Sequence, residues 1–397
     1  MKLSNVLNSI SESQTLKISS KAKKLKNEGK DIIDLSVGEP DFNTPDYIKK
    51  AAINAIDNNF TTYTDVAGIE PLRKAIMENL RLLDNLEGDE NNIIVTNGAK
   101  EAIYLALKSI LDPGDEVLLL DPYFTSYPEM IKLLYANQKI IKSTDPKNPS
   151  IKQIEDNITN KTKCIIICSP SNPTGIIYSN DFIRGLAKLI YKKNIFIISD
   201  QIYEEINYSK NNNFSIGSIK SVKDLTITIN GFSKTYSMTG WRIGYAHANK
   251  EIIKSMKKMK SHISSNTNTI SQYAALEALE KKNENINLFK QRIKTFEKRR
   301  DLIIDLLKKN NMLKLIVPEG AFYMFIDIRK TFGKKIRSQS INNDIDFCNL
   351  ILQEKEIALT PGSAFGNSNY IRISYAIKEE QLREALNRML DFINEIK

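Results

Sequence analysis

Five short stretches of the sequence carry side chains whose types could do chemistry. Asn97-Gly98-Ala99-Lys100 is a small-residue turn ahead of a helical pattern. A helix start leaves backbone N–H groups unpaired, so such a turn can hold an anion. Asp121-Pro122-Tyr123-Phe124 offers an aromatic ring, and Ser169-Pro170-Ser171-Asn172-Pro173-Thr174-Gly175 offers the amide of Asn172. Asp200 is a carboxylate, and Asn230-Gly231-Phe232-Ser233-Lys234 ends on an amine. Taken singly, each has a plain structural reading. Most helix-starting turns bind no phosphate, an Asp after a strand is often a helix cap, and a loop lysine is usually solvated. What joins them is position, because each follows a run that reads as a β-strand.

From about residue 91 the chain alternates short apolar runs with helical patterns. That alternation predicts an α/β fold with a mostly parallel sheet flanked by helices. Strands are expected at Asn92–Thr96, Glu116–Leu120, Lys163–Cys168, Ile195–Ser199 and Leu225–Ile229. Helices are expected at Ala99–Leu111, Asp181–Lys192, Lys250–Lys260 and Ile270–Glu280. In open sheets of this kind ligands bind beyond the carboxyl ends of the strands. The anion-binding turn, ring, amide, carboxylate and lysine therefore fall on one edge.

A long charged helix, about Asn285–Lys309, follows, and the pattern then changes. Strand Ala321–Asp327, helix Asp346–Lys355, strand Tyr370–Tyr375 and helix Glu379–Ile396 read as a second, smaller α+β unit. On its last strand Arg372 alternates with Ile371 and Ile373, which places it on the opposite face. Residues 46–285 are read as a large domain. Residues 1–45, expected to pack with the C-terminal part, join 286–397 as a small one.

Composition narrows the function classes. With 397 residues, 41% of them hydrophobic, the chain can bury a large core in two domains. No apolar stretch reaches membrane-spanning length. The N-terminus shows no continuous apolar region after Met1-Lys2-Leu3, so the expectation is a cytoplasmic protein without a secretory signal. Cys164, Cys168 and Cys348 are an odd, sparse set, expected to be buried free thiols rather than disulfides. With only His247 and His262, no histidine-rich metal site is expected. The net charge of +10 comes from dispersed lysines without a nucleic-acid-binding module, and reads as a solvated basic surface that draws in anionic substrates.

Taken together, the motifs resemble class I aminotransferases of pyridoxal-phosphate fold type I. The likeness is to bacterial aspartate aminotransferases that lack a second substrate arginine. It runs over nearly the whole chain. It includes Ser36-Val37-Gly38-Glu39-Pro40-Asp41-Phe42, Tyr63-Thr64-Asp65-Val66-Ala67-Gly68, Ser169 to Gly175 and Ser199-Asp200-Gln201-Ile202-Tyr203. It continues through Ser233 to Tyr245, Pro361-Gly362-Ser363-Ala364-Phe365-Gly366 and Arg372-Ile373-Ser374-Tyr375-Ala376.

The resemblance implies a role for each residue. Lys234 matches the lysine that binds pyridoxal 5'-phosphate as a Schiff base and later moves the substrate's α-proton. An amine is needed because only an amine forms an imine with the aldehyde. Asp200 matches the carboxylate that keeps the pyridine nitrogen protonated, and Tyr203 and Asn172 match donors to the ring oxygen. Phe124 would stack on the ring. The phosphate would lie at the Ala99–Lys100 helix start with Ser233 and Arg242. Tyr63 matches a residue reaching the phosphate of the neighbouring subunit, which implies a homodimer with shared sites. Arg372 matches the clamp on the substrate α-carboxylate, which Gly38 approaches through its backbone.

For substrate choice, Lys100, with Ser13 and Thr15, matches positions that contact the distal carboxylate of aspartate or glutamate. The expected reaction passes an amino group from an L-amino acid, aspartate first, to 2-oxoglutarate. Phe124 departs from the tryptophan of aspartate-specific members and opens an aromatic or broad-range alternative. Gln201 departs from the family's glutamate. A β-lyase is the rival within the fold. Too few residues precede the motifs for a fused DNA-binding module, and retention of Lys234, Asp200 and Arg372 speaks against an inactive binding protein.

Overall fold

The structure is a computed structural model that describes residues 4–12, 14–143, 145–209 and 214–397. Seven strands form its central sheet: β1 Ile93–Thr96, β2 Glu116–Asp121, β3 Asn137–Lys142, β4 Thr162–Cys168, β5 Phe196–Asp200, β6 Thr226–Gly231 and β7 Gly244–His247. Their spatial order is β1-β7-β6-β5-β4-β2-β3. Every pairing is parallel except those of β7, which runs antiparallel to β1 and to β6.

The apolar runs explain the layering. A strand covered by helices on both faces is buried on both and needs no alternation. Val117, Leu119, Cys164 and Ile166 pack on one face against Ala102 and Ile103 of helix Ala99–Ile110 and Met256 of helix Lys250–Ile263. Leu118, Leu120, Ile165 and Ile167 pack on the other against Phe182 and Leu186 of helix Asn180–Lys193. The fold is α/β, with a mostly parallel sheet flanked by helices.

Two strands of this sheet have no counterpart in the sequence reading. β3 is an edge strand whose Asn137, Gln138 and Lys139 give it no apolar signature. β7, Gly244-Tyr245-Ala246-His247, opens on glycine and ends on histidine, so no apolar run marks it. The expected strand from Ala321 begins instead at Tyr323, because Ala321 has φ +57°, outside the strand region.

A second sheet contains β8 Lys314–Ile316, β9 Tyr323–Asp327, β10 Thr360–Pro361 and β11 Tyr370–Ser374, in the antiparallel order β10-β11-β9-β8. Phe347 and Ile351 of helix Asp344–Lys355 and Leu386 and Met389 of helix Glu379–Asn394 share a core with its Ile326, Ile371 and Ile373. The N-terminal segment joins this part. Ile33 and Asp34 pair parallel with Ile357 and Ala358, and Ala22 of helix Gln14–Asn27 packs against Leu352 and Ala358. Helix Ile286–Leu307 touches both cores, with Phe289 in the first and Phe296 and Ile303 in the second. The three cysteines are buried and free. Among the described residues no helix is long and apolar enough to cross a membrane.

Candidate active site

The strand ends and the second sheet enclose a cavity of about 530 Å³. Lys234 lies three residues past the end of β6, and its Nζ donates to the carbonyl of Gly38 at 2.7 Å. Burial lowers the proton affinity of this amine, to about 8. Arg372 and Arg242 push the same way, and Glu39 and Asp200 oppose them.

Asp200 closes β5 and is buried. Tyr127 donates its hydroxyl to Oδ2 at 2.6 Å, and the N–H of Ile202 reaches Oδ1 at 3.2 Å. Burial raises the carboxyl above its ordinary range, while the two donors and the cation of Lys234 work in the opposite direction. Tyr127 belongs to helix Ser126–Leu133 and meets the Phe124 ring edge-on, with centroids 5.4 Å apart. The ammonium of Lys100 lies 5.7 Å from the Phe124 ring centroid, and partial loss of water followed by the charge of Arg242 holds that amine below its usual value.

At the start of helix Ala99–Ile110, Gly98 has φ +83°. Arg242 donates from Nη1 to Thr239 O at 2.9 Å and from Nη2 to Asn97 O at 3.4 Å. A Cβ added to Gly98 would run into the Arg242 guanidinium. Only glycine keeps this concavity of N–H groups and guanidinium open. The reversed direction of β7 puts its start, and hence Arg242, at the same edge as the ends of β4, β5 and β6.

Arg372 enters from β11. Ile371 and Ile373 go into the hydrophobic core, and the buried guanidinium lines the cavity. Its Nη1 donates to Asn172 Oδ1 at 2.9 Å and its Nη2 to Ser36 O at 2.6 Å. The group lies 4.4 Å from the Tyr323 ring centroid, and the Tyr323 hydroxyl is 2.8 Å from that of Tyr203. The buried Nε of Arg372 has no hydrogen-bond partner.

Of the residues singled out in the sequence, Lys234, Asp200, Tyr203, Asn172, Phe124 and Arg372 line this cavity. So do Ala99, Lys100, Ser233, Arg242, Gly38 and Thr15. Tyr63 does not; it is 88% exposed. Ser13 lies outside the described residues. Sequence reasoning missed Tyr127, Tyr323 and Ser36. The one available signal was for Tyr127, which lies three residues after Phe124.

Fold and site together define an α/β enzyme whose strand ends bring a half-buried lysine, a buried carboxylate and a buried arginine to one cavity. Residues 30–389 match the family aminotransferase class I and II, and the chain belongs to that family. It is 38% identical over 394 residues to an aspartate aminotransferase of Thermotoga maritima, with 99% of each chain covered. It is 43% identical to a probable aspartate/prephenate aminotransferase of Rickettsia bellii, with 98% of each covered. Among solved structures, the aspartate aminotransferase of Rhizobium meliloti superposes with a TM-score of 0.95 at 37% identity and full coverage of both chains. That of Thermus thermophilus with maleate gives 0.93 at 35% identity, covering 99% of this chain and 100% of the other. This protein is accordingly an aminotransferase.

Proposed function

We propose that the cavity binds pyridoxal 5'-phosphate and that the enzyme passes an amino group from an L-amino acid, L-aspartate first, to 2-oxoglutarate. The observation that carries this reading is Lys234, a half-buried amine set among Asp200, Arg242 and Arg372. The residues present fit the cofactor. The concavity at Gly98, with Ser233 and Arg242, suits a phosphate dianion. Asp200, buried and already holding two donors, suits a protonated ring nitrogen, whose charge would favour the ionised carboxyl. Phe124 would stack on the ring, Asn172 and Tyr203 would reach its oxygen, and Lys234 would hold its aldehyde carbon. When bound, the cofactor supplies a carbonyl carbon that exchanges amino groups and a ring that accepts electrons.

The chain's own residues do the rest. Arg372, fixed by Asn172, Ser36 and the Tyr323 ring, presents a preset fork to the substrate α-carboxylate. The backbone of Gly38 lies beside it. The free Nζ of Lys234 would take the proton from the substrate Cα and carry it to the former aldehyde carbon of the cofactor. Its lowered proton affinity keeps a share of the amine unprotonated near neutrality. Lys100, with Thr15 and Ser13, would meet the distal carboxylate. Tyr63 would serve the site of a partner subunit in a homodimer. Residues 46–285 would form the large domain and residues 1–45 with 286–397 the small one, in a cytoplasmic enzyme.

Single amino acids added to the cofactor-loaded protein test this, with the cofactor absorbance followed over time. Aspartate and glutamate should discharge the lysine-bound band fastest. Faster discharge by phenylalanine or tyrosine would establish the aromatic or broad-range alternative, which the phenylalanine at position 124 favours. Keto acid formed over many turnovers per site without an acceptor would establish the β-lyase, and an unchanged band with every amino acid would overturn the aminotransferase site.

A further inference from the structure

We infer that Asp41 and Arg299 are positioning residues for Lys234, acting through the loop that carries the Gly38 carbonyl. The inference rests on the reading of Lys234 as the cofactor-binding amine. The loop begins at Leu35, which is tied to Ala358 through its N–H and to Ser374 through its carbonyl, both at 2.9 Å or less. It ends at helix Asp46–Asp57. Between them the chain has no strand or helix, so the aim of the Gly38 carbonyl depends on whatever grips the loop from outside.

Arginines grip it on both sides of Gly38. Upstream, Arg372 Nη2 holds the carbonyl of Ser36 at 2.6 Å. Downstream, Arg299 meets Asp41 through two bonds, Nη1 to Oδ1 at 2.8 Å and Nη2 to Oδ2 at 2.7 Å. The Arg299 side chain is 6% exposed and that of Asp41 20%, so the fork is well shielded from water. Paired planar groups of this kind fix orientation as well as distance. Arg292, seven residues earlier on the same helix face, adds a bond to Asn43 O at 2.7 Å. The loop also lies flush on the site: a Cβ on Gly38 would stand 2.6 Å from the Tyr323 hydroxyl.

The chemistry follows from what the loop presents to the amine. A carbonyl that accepts from Lys234 Nζ favours the charged ammonium. Glu39, next along the loop, favours it too. Asp200 acts in the same sense, and Arg372 and Arg242 act against it. A slack loop withdraws the Gly38 carbonyl and the Glu39 carboxylate together, and the proton affinity of Lys234 falls. The Asp41–Arg299 fork thus sets the basicity of an amine that neither residue touches.

The test uses the full-length apoprotein and free pyridoxal 5'-phosphate. Uptake is followed by the absorbance of the lysine-bound cofactor across pH, because only the unprotonated amine attacks the aldehyde. In the natural protein the uptake rate should rise through a midpoint of about 8. In Asp41→Asn and in Arg299→Met the midpoint should fall by about one pH unit, the size expected for losing one acceptor to a charged group. Arg299→Lys, which keeps the charge but not the fork, should recover part of it. Melting temperatures measured alongside separate positioning from folding. An unmoved midpoint with a lowered melting temperature, in whichever of these variants folds, would overturn the inference. If the natural protein gives no band that Lys234→Ala abolishes, the reading of Lys234 itself fails, and the inference falls with it.

Discussion

Lys100 and Tyr127 are the two residues at which substitution separates binding from chemistry. Lys100 stands over the Phe124 ring at the cavity wall, where a second carboxylate of the substrate would find an ammonium. Lys100→Ala should lower kcat/KM for aspartate by about 10- to 100-fold, the worth of one charged hydrogen bond, and leave phenylalanine within about threefold. Equal losses for both amino acids would remove the dicarboxylate assignment. Tyr127→Phe strips Asp200 of its Oδ2 donor without opening a cavity. The carboxyl should become more basic, the pH titration of the cofactor absorbance should move, and kcat should fall about tenfold. An unchanged titration would show that Tyr127 only fills space. Lys234, Asp200 and Asn172 were legible in the sequence because each lies just past an apolar run that reads as a strand, and the family resemblance gave each its role. Tyr127 and Tyr323 were not, because a tyrosine inside a helix or strand pattern is indistinguishable from core until its hydroxyl is seen to have a partner.

Among the elements, the turn that runs on from Asp200 at the end of β5 carries Tyr203, and it is backed by an acid pair. Asp84, the last residue of helix Glu70–Asp84, lies against Glu204 in a buried setting. Burial is the leading cause that raises the proton affinity of both carboxyls, and two carboxyls in contact hydrogen-bond only while one keeps its proton. Lys282, the nearby cation, is engaged by Glu205 at 2.7 Å. The native state therefore binds a proton that the unfolded chain releases above about pH 4. Stability contributed by the pair is present at acidic pH and is lost as pH rises through the elevated native value. Glu204→Gln should flatten that decline, which melting temperatures from pH 5 to 8 would register; a parallel decline in both proteins would place the titrating group elsewhere. The helices and inner strands around this turn were readable from periodicity. β3 and β7 were not: one is a polar edge and the other is four residues framed by partners it meets only in three dimensions.

For the molecule as a whole, Tyr63 is the exposed residue without a place in its own cavity. If it serves a partner's site, Tyr63→Ala and Lys234→Ala chains, each weak alone, should regain activity when unfolded together and refolded, because a mixed dimer contains one site with both natural residues. Failure to regain activity, with mixed dimers present, would show that each chain works alone. This arrangement could be anticipated only through family resemblance, since no pattern within one chain says which of its surfaces is shared. The same holds for Arg372, which reaches the site from a second sheet whose own periodicity predicts the strand but not its neighbour.

The reversed strand β7 has a mechanical consequence. Gly231 at the end of β6 faces Gly244 at the start of β7, and a Cβ on Gly231 would come within 2.9 Å of the Gly244 Cα. The chain between them is cinched at its neck by two glycines that allow the backbones to touch. Lys234 and Arg242 both belong to that noose, which is filled by its own backbone bonds from Met238 to Ser233 and from Ser237 to Lys234. The Lys234 amine and the Arg242 guanidinium therefore sit on one closed segment, and any displacement of that segment would carry both together.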